Sequence, residues 1–259
     1  MTSSVLLSSM GLQCKQSFVR PMFRFCLLAN PILNTVLLYE MYRGAGEENF
    51  FAYVALGAGL MAVWSAICFS SAGDINRERY SGTLALLFAA PAGFPAIVLG
   101  KILGNTFLSL ASIGISVATA ALLFGVPVAV ASPGYFLLAL ICALAAFAAF
   151  SLVIACLLTL SRRTELYMNC IEIPLILLCG FVYPVSALPT WLRPVSYALS
   201  PTWAVELLRM GVWGVVDPAA FGRKLAVLLA LTALSALLAL ALFRAIDRQV
   251  RILATLEVR

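Results

Sequence analysis

Apolar positions along this chain gather in runs of about 20 residues parted by short polar stretches, the length that crosses a bilayer as helix. Hydropathy predicts six such spans, at about Phe25–Met41, Ala52–Ala72, Pro95–Phe124, Tyr135–Leu160, Leu166–Tyr183 and Leu225–Phe243. Asn30-Pro31 and Asn34 interrupt the first. The third and fourth exceed one crossing, which predicts tilt or a cytoplasmic extension. The pattern predicts an all-α membrane protein, one bundle of six transmembrane helices spanning residues 1–259 as a single domain.

Two stretches outside the spans carry their own pattern. Leu6–Phe23 mixes apolar residues with Lys15, Gln16 and Arg20. That mixture suits an amphipathic helix lying along the inner membrane surface, with a disordered tail as the alternative. Residues 184–221 hold too many prolines to form a seventh crossing, yet Trp191, Tyr197, Trp203 and Trp213 make them too aromatic for a plain aqueous loop. Trp and Tyr favour the headgroup level. The stretch reads as two short re-entrant helices in the outer leaflet, opened by Pro189 and Pro201, against a competing reading as an interfacial loop.

Composition strengthens the membrane reading. Hydrophobic residues make up 63% of the chain and charged ones 11%, where soluble domains carry roughly 45–50% and about 25%. Charge sets the orientation. With both termini cytoplasmic, at 1–24 and 244–259, Lys15, Arg20, Arg24, Arg77, Arg79, Lys101, Arg162, Arg163, Arg244, Arg248, Arg251 and Arg259 lie inside. Arg43, Arg193, Arg209, Arg223 and Lys224 lie outside, as the positive-inside rule requires. The net charge of +6 is therefore a topological signal and an attraction to anionic lipid, and no motif supports nucleic-acid binding.

Catalytic chemistry has no foothold in the pattern. There is no histidine, no G-x-S-x-G elbow and no acidic metal cluster. The seven cysteines form no C-x-x-C pair and read as small apolar packing residues. No basic leader with a cleavage pattern marks the first residues. The nearest approach to a phosphate-binding loop, Gly93 through Gly100-Lys101-Ile102, lacks the G-x-x-x-x-G-K-[ST] spacing. No cofactor or metal site is expected in this chain.

The most informative segment is an elbow at 74–91, after the second span. Asp74, Arg77, Glu78 and Arg79 suit the cytoplasmic continuation of a helix leaving lipid. Gly82 lets the backbone turn at low steric cost, and Ser81 or Thr83 can cap a new short helix. Leu84, Leu87 and Phe88 then share one face, and Pro91 ends the element. The product is a stubby apolar helix suited to a partner's groove.

Glu78-Arg79-x-x-Gly82-Thr83-Leu84 followed by Pro91 resembles the signature of ABC-2 type transporter permeases. Gly180-Phe181-Val182-Tyr183-Pro184, Leu188-Pro189-x-Trp191-Leu192, Pro201 and Glu206-Leu207-Leu208-Arg209 are similar to that family's region between its fifth and sixth helices. The resemblance covers essentially the whole chain. It implies a half-transporter in a prokaryotic plasma membrane, pairing with an identical or different second permease. A separate ATP-binding subunit would hold ATP and Mg. Arg77, Glu78, Arg79, Gly82, Thr83, Leu84, Leu87 and Phe88 would couple to that ATPase. The implied cargo is a small hydrophobic or amphipathic compound, such as a drug, antibiotic or lipid-like molecule. Export of a lipid-linked glycan or lipooligosaccharide is the alternative, as is a membrane assembly or immunity subunit that translocates nothing.

The resemblance also implies a path between the second and fifth helices of two protomers. Asn169 and Glu172, beside Pro174, are candidates there, because an intramembrane carboxylate is costly unless it faces a cavity, a partner or the bundle interior. An interhelical hydrogen bond or ion pair is the equal alternative for Glu172. Trp64 and Phe69 are weaker candidates for a hydrophobic vestibule. Asn30, Pro31 and Asn34 read as contacts between helices in preference to substrate contacts. Gly100-x-x-x-Gly104 permits close approach of another helix, without saying which.

Overall fold

The computed structural model describes residues 2–43, 52–82, 94–125, 130–159 and 164–253. Among these every regular element is helical: α1 Thr2–Val19, α2 Pro21–Tyr42, α3 Gly57–Tyr80, α4 Phe94–Phe124, α5 Pro133–Thr159, α6 Thr164–Leu178, α7 Arg193–Tyr197, α8 Ser200–Trp213 and α9 Pro218–Leu253. A π-helical turn, Ala52–Leu56, leads into α3, and a 3-10 turn, Val185–Ala187, precedes α7.

Three stretches are long and apolar enough to cross a membrane: Ala96–Phe124, Pro133–Leu157 and Pro218–Ile246. A fourth arises if α1 and α2, bent by 80°, count as one broken span. The bend falls at Arg20-Pro21, where Pro21 lacks an N–H and enters α2 at its first turn. A polar, prolyl boundary thus separates the N-terminal helix from the first apolar one.

Local chemistry explains the departures from the expected boundaries. The fifth helix stops at Leu178, short of the predicted Tyr183. Gly180 takes φ +76, its N–H reaches Leu177 O, and the Phe181 N–H reaches Ile176 O. That is a Schellman ending, which satisfies the last carbonyls and turns the chain away. The sixth helix begins at Pro218, several residues before the predicted Leu225. Asp217 Oδ1 accepts the Ala219 N–H at 2.9 Å, so Asp217 caps the helix and Pro218 occupies its first position. Pro201 opens α8 as expected. Pro189 does not open a helix: it lies in a turn closed by the Leu192 N–H on its carbonyl, and Pro194 stands in the first turn of α7 instead.

α3 is the hub, packing on α2, α4, α5 and α6. Its core face presents Leu60, Val63, Trp64 and Ile67 to Phe147 of α5 and to Phe181. α3 and α4 run antiparallel, since Gly59 at the start of α3 approaches Ile113 in the second half of α4. The last turn of α3 and the first of α4 therefore share one end of the bundle, the elbow end. α5 is the most enclosed of the long apolar helices, with half of its most apolar stretch buried, and α9 is the least enclosed. α9 packs along α5 and α8 and leaves a broad apolar face uncovered.

Candidate functional site

At the elbow end, α3 carries the charged segment as helix through Tyr80, and the Ser81 N–H closes on Arg77 O at 2.8 Å. Gly82 follows at φ +67, and no described atom lies within 4 Å of where a Cβ would stand. This left-handed conformation is one that glycine enters without the Cβ penalty of other residues. Arg77 is exposed. Glu78 and Arg79 lie on the last turn of α3, with side chains outside the described residues. Thr83, Leu84, Leu87 and Phe88 also lie outside the described residues, as does Pro91.

A second element meets the elbow end. α1 lies against the first turns of α4 at the glycine pair read from the sequence. A Cβ at Gly100 would stand 2.7 Å from Ser9 Cβ, and one at Gly104 would stand 2.9 Å from Met10 O. The missing side chains let the two backbones approach. A polar cluster fixes the register. Asn105 Oδ1 accepts from Gln13 Nε2 at 3.2 Å and from Ser17 Oγ at 3.0 Å, with all three residues buried. The sequence reading found the glycines and missed this cluster. Its signal was present: Gln13 and Ser17 are four apart and share a helix face with Met10.

Mid-bundle, α6 brings Glu172 to Ser65 of α3, whose hydroxyl donates to Glu172 Oε1. Glu172 is buried, while Tyr167, Cys170, Ile173, Pro174 and Leu177 of the same helix are exposed. The carboxylate thus faces α3 within the protomer. Trp64, one residue before Ser65, is 0% exposed and meets Phe147 edge-on with centroids 5.8 Å apart. The Phe69 and Asn169 side chains lie outside the described residues. Of the four residues suggested for the path, the structure therefore locates two, Trp64 and Glu172, both in the interior. On α2, Asn30 is exposed and Thr35 makes the contact to α4. Thr35 Oγ1 lies 2.7 Å from Ser116 Oγ, which donates to Ala55 O in the π turn.

At the far end, residues 180–213 pack onto the bundle as α7, α8 and their connections. Arg193 Nε donates to Leu188 O at 2.9 Å, and Ser196 Oγ donates to Leu178 O at 2.6 Å. Gly211 brings α8 against the α5 backbone, where a Cβ would stand 2.8 Å from Phe136 Cα. Trp191 and Trp213 remain exposed. Lys224 Nζ pairs with Glu206 Oε2 at 2.8 Å, joining α9 to α8.

Among the described residues no group of His, Cys, Asp or Glu could hold a metal ion, and six cysteines are free. Long apolar helices, a charged glycine elbow between α3 and α4 and an aromatic, proline-rich cap at the other end define a multi-pass membrane protein. Residues 7–213 match the family described as ABC-2 type transporter. The chain belongs to that family: it is an ABC permease domain, which carries no ATPase of its own, and membership implies partnering with an ATP-binding subunit. A search of curated proteins returned no match.

Proposed function

We propose that this chain is the permease subunit of an ABC exporter, moving a small hydrophobic or amphipathic compound outward across a prokaryotic plasma membrane. In this reading the bundle crosses six times, with α1 lying along the inner surface, both termini cytoplasmic and α7–α8 dipping into the outer leaflet. Two permeases, identical or different, enclose the path. The elbow is the coupling helix, and ATP and Mg sit on the partner subunit.

The observation that carries the reading is the family match, within which the Glu78-Arg79-x-x-Gly82 motif falls where α3 ends and Gly82 turns at φ +67. The 80° bend between α1 and α2 supports the interfacial helix. Exposed Trp191 and Trp213 support a far end at headgroup level.

The test co-expresses the chain with a lone ABC ATP-binding subunit and reconstitutes the pair in proteoliposomes. ATP-driven movement of a lipophilic dye is compared with that of a fluorescent glycolipid. Dye transport is the expected result, and Glu78→Ala and Gly82→Val abolish it while membrane insertion persists. Unchanged transport in both variants removes the coupling assignment. Glycolipid transport alone moves the cargo to the lipid-linked glycan class. A stable complex with neither transport nor stimulated ATPase makes the chain a non-translocating subunit.

A further inference from the structure

Arg209 is the most deeply buried cation among the described residues, with 4% of its surface exposed. A charge so enclosed persists only where its surroundings replace water, and arginine does not shed its proton in proteins. No carboxylate among the described residues lies within ion-pair distance of it. It rests instead on backbone and ring. Its Nη2 donates to Phe181 O at 3.0 Å, and its guanidinium carbon lies 4.4 Å from the centroid of the Tyr53 ring. Its Nε has no hydrogen-bond partner among the described residues.

The acceptor is itself a junction. Phe181 follows the Schellman turn at Gly180, so its carbonyl stands just beyond the C-terminus of α6, the negative end of the helix dipole. α3 approaches the same oxygen: a Cβ at Gly57 would stand 2.8 Å from it. The next carbonyl, Val182 O, accepts from Tyr42 Oη of α2 at 2.8 Å, and Tyr42 stacks on Tyr53. The start of α3, the end of α6 and the middle of α8 thus converge on one backbone oxygen. An energetic advantage follows from these two partners. A carbonyl and a ring face each attract the guanidinium, and neither brings a second ion that would need desolvation.

We infer that Arg209 is a positioning residue that fastens α8 to the far ends of α3 and α6 through the Phe181 carbonyl, so that these three elements respond as one unit during the ATP-driven cycle. The inference rests on the permease reading for the cycle, whereas the fastening stands on the protomer alone. The joint converts motion of α3, which ends at the elbow, into motion of the cap. Gly57 is a second lever, because a methyl there would stand 2.8 Å from the same carbonyl oxygen and force it and α3 apart while leaving the charge in place.

The test is amide hydrogen exchange on the permease with its ATP-binding subunit in lipid nanodiscs, nucleotide-free and trapped with ATP and vanadate. In the wild type, residues 179–188 and 200–213 are expected to change protection together on trapping. In Arg209→Met, exchange across 179–188 rises about tenfold without nucleotide, and its trapping response no longer follows that of 200–213. Arg209→Lys, which keeps a charge and a donor, retains most of the wild-type protection. Gly57→Ala reproduces the Arg209→Met pattern and serves if that variant does not assemble. Wild-type exchange at 179–188 in Arg209→Met and Gly57→Ala overturns the joint, and so does equal loosening in Arg209→Lys and Arg209→Met. A wild-type complex in which trapping alters only one of the segments, or neither, overturns the coupled movement while leaving transport itself untouched.

Discussion

The two ends of this bundle are held together in different ways. At the elbow end, α1 rests chiefly on one neighbour, α4, through two glycines and the Gln13–Ser17–Asn105 cluster. At the far end, elements distant in sequence meet: Tyr42, Tyr53, Gly57, the Phe181 and Val182 carbonyls and Arg209 interlock, and Gly211 presses α8 onto α5. One contact surface can open while the rest of the bundle stays intact. A many-sided junction yields only as a whole. Local adjustment is therefore expected at the elbow end, where the proposed function places the ATP-binding subunit, and collective movement at the other.

The same substitution at both ends is the strongest way to break that contrast. Gly211→Ala drives a methyl into the α5 backbone at Phe136, with other contacts holding both helices. We expect a loss of about 2–3 kcal/mol, the upper part of the range for overpacking, read as a lower midpoint in thermal or denaturant unfolding. Gly104→Ala meets Met10 O at 2.9 Å, but α1 has freedom to swing away. Its global midpoint should move by less than half as much, while protease nicking within residues 2–19 increases. Equal midpoint shifts with no change in nicking would erase the difference between the ends.

A smaller effect sharpens the account of the N-terminal helix. Asn105→Ala removes the acceptor shared by Gln13 and Ser17. Interhelical polar contacts in membrane proteins average about 0.6 kcal/mol, so the pair predicts about 1 kcal/mol, again with faster nicking of α1. Unaltered nicking would show that the glycine packing alone retains the helix. The smallest effect belongs to the Lys224–Glu206 pair, half-exposed at the far end. Lys224→Met should cost no more than about 0.5 kcal/mol and lose even that in high salt. A larger, salt-insensitive loss would make this pair part of the Arg209 junction.

Much of the helical layout was legible along the chain, because hydropathy and end signals act over a few residues. The predicted third span, Pro95–Phe124, differs from α4 by one residue, and Gly82, which the sequence marks as a place where the backbone can turn, takes φ +67. The two boundary misses had local causes that were equally readable. Gly180 after an apolar run is a helix stop, and Asp217-Pro218 is a helix start. Both were overlooked because the hydropathy window averages across such single-residue signals.

Side-chain partners were a different matter. Trp64 and Glu172 stood out by type, yet their place in the interior depends on which face of α3 turns toward α5 and α6. Arg209 stands out in the sequence as an outer basic residue and as the end of the Glu206-Leu207-Leu208-Arg209 stretch, but its neighbours are a tyrosine 156 positions earlier and a carbonyl 28 positions earlier. Residue spacing cannot announce such a meeting, since it arises from the packing of whole helices. By itself the sequence determined a helical membrane protein of the ABC-2 type, its charged elbow and where most helices begin and end, because burial in lipid and helix ends are short-range physics. Only the tertiary structure decided that α1 clasps α4 and that α3, α6 and α8 share the Phe181 oxygen. Those choices depend on the close approach of backbones at Gly100, Gly104 and Gly57, and such an approach exists only once the helices are packed.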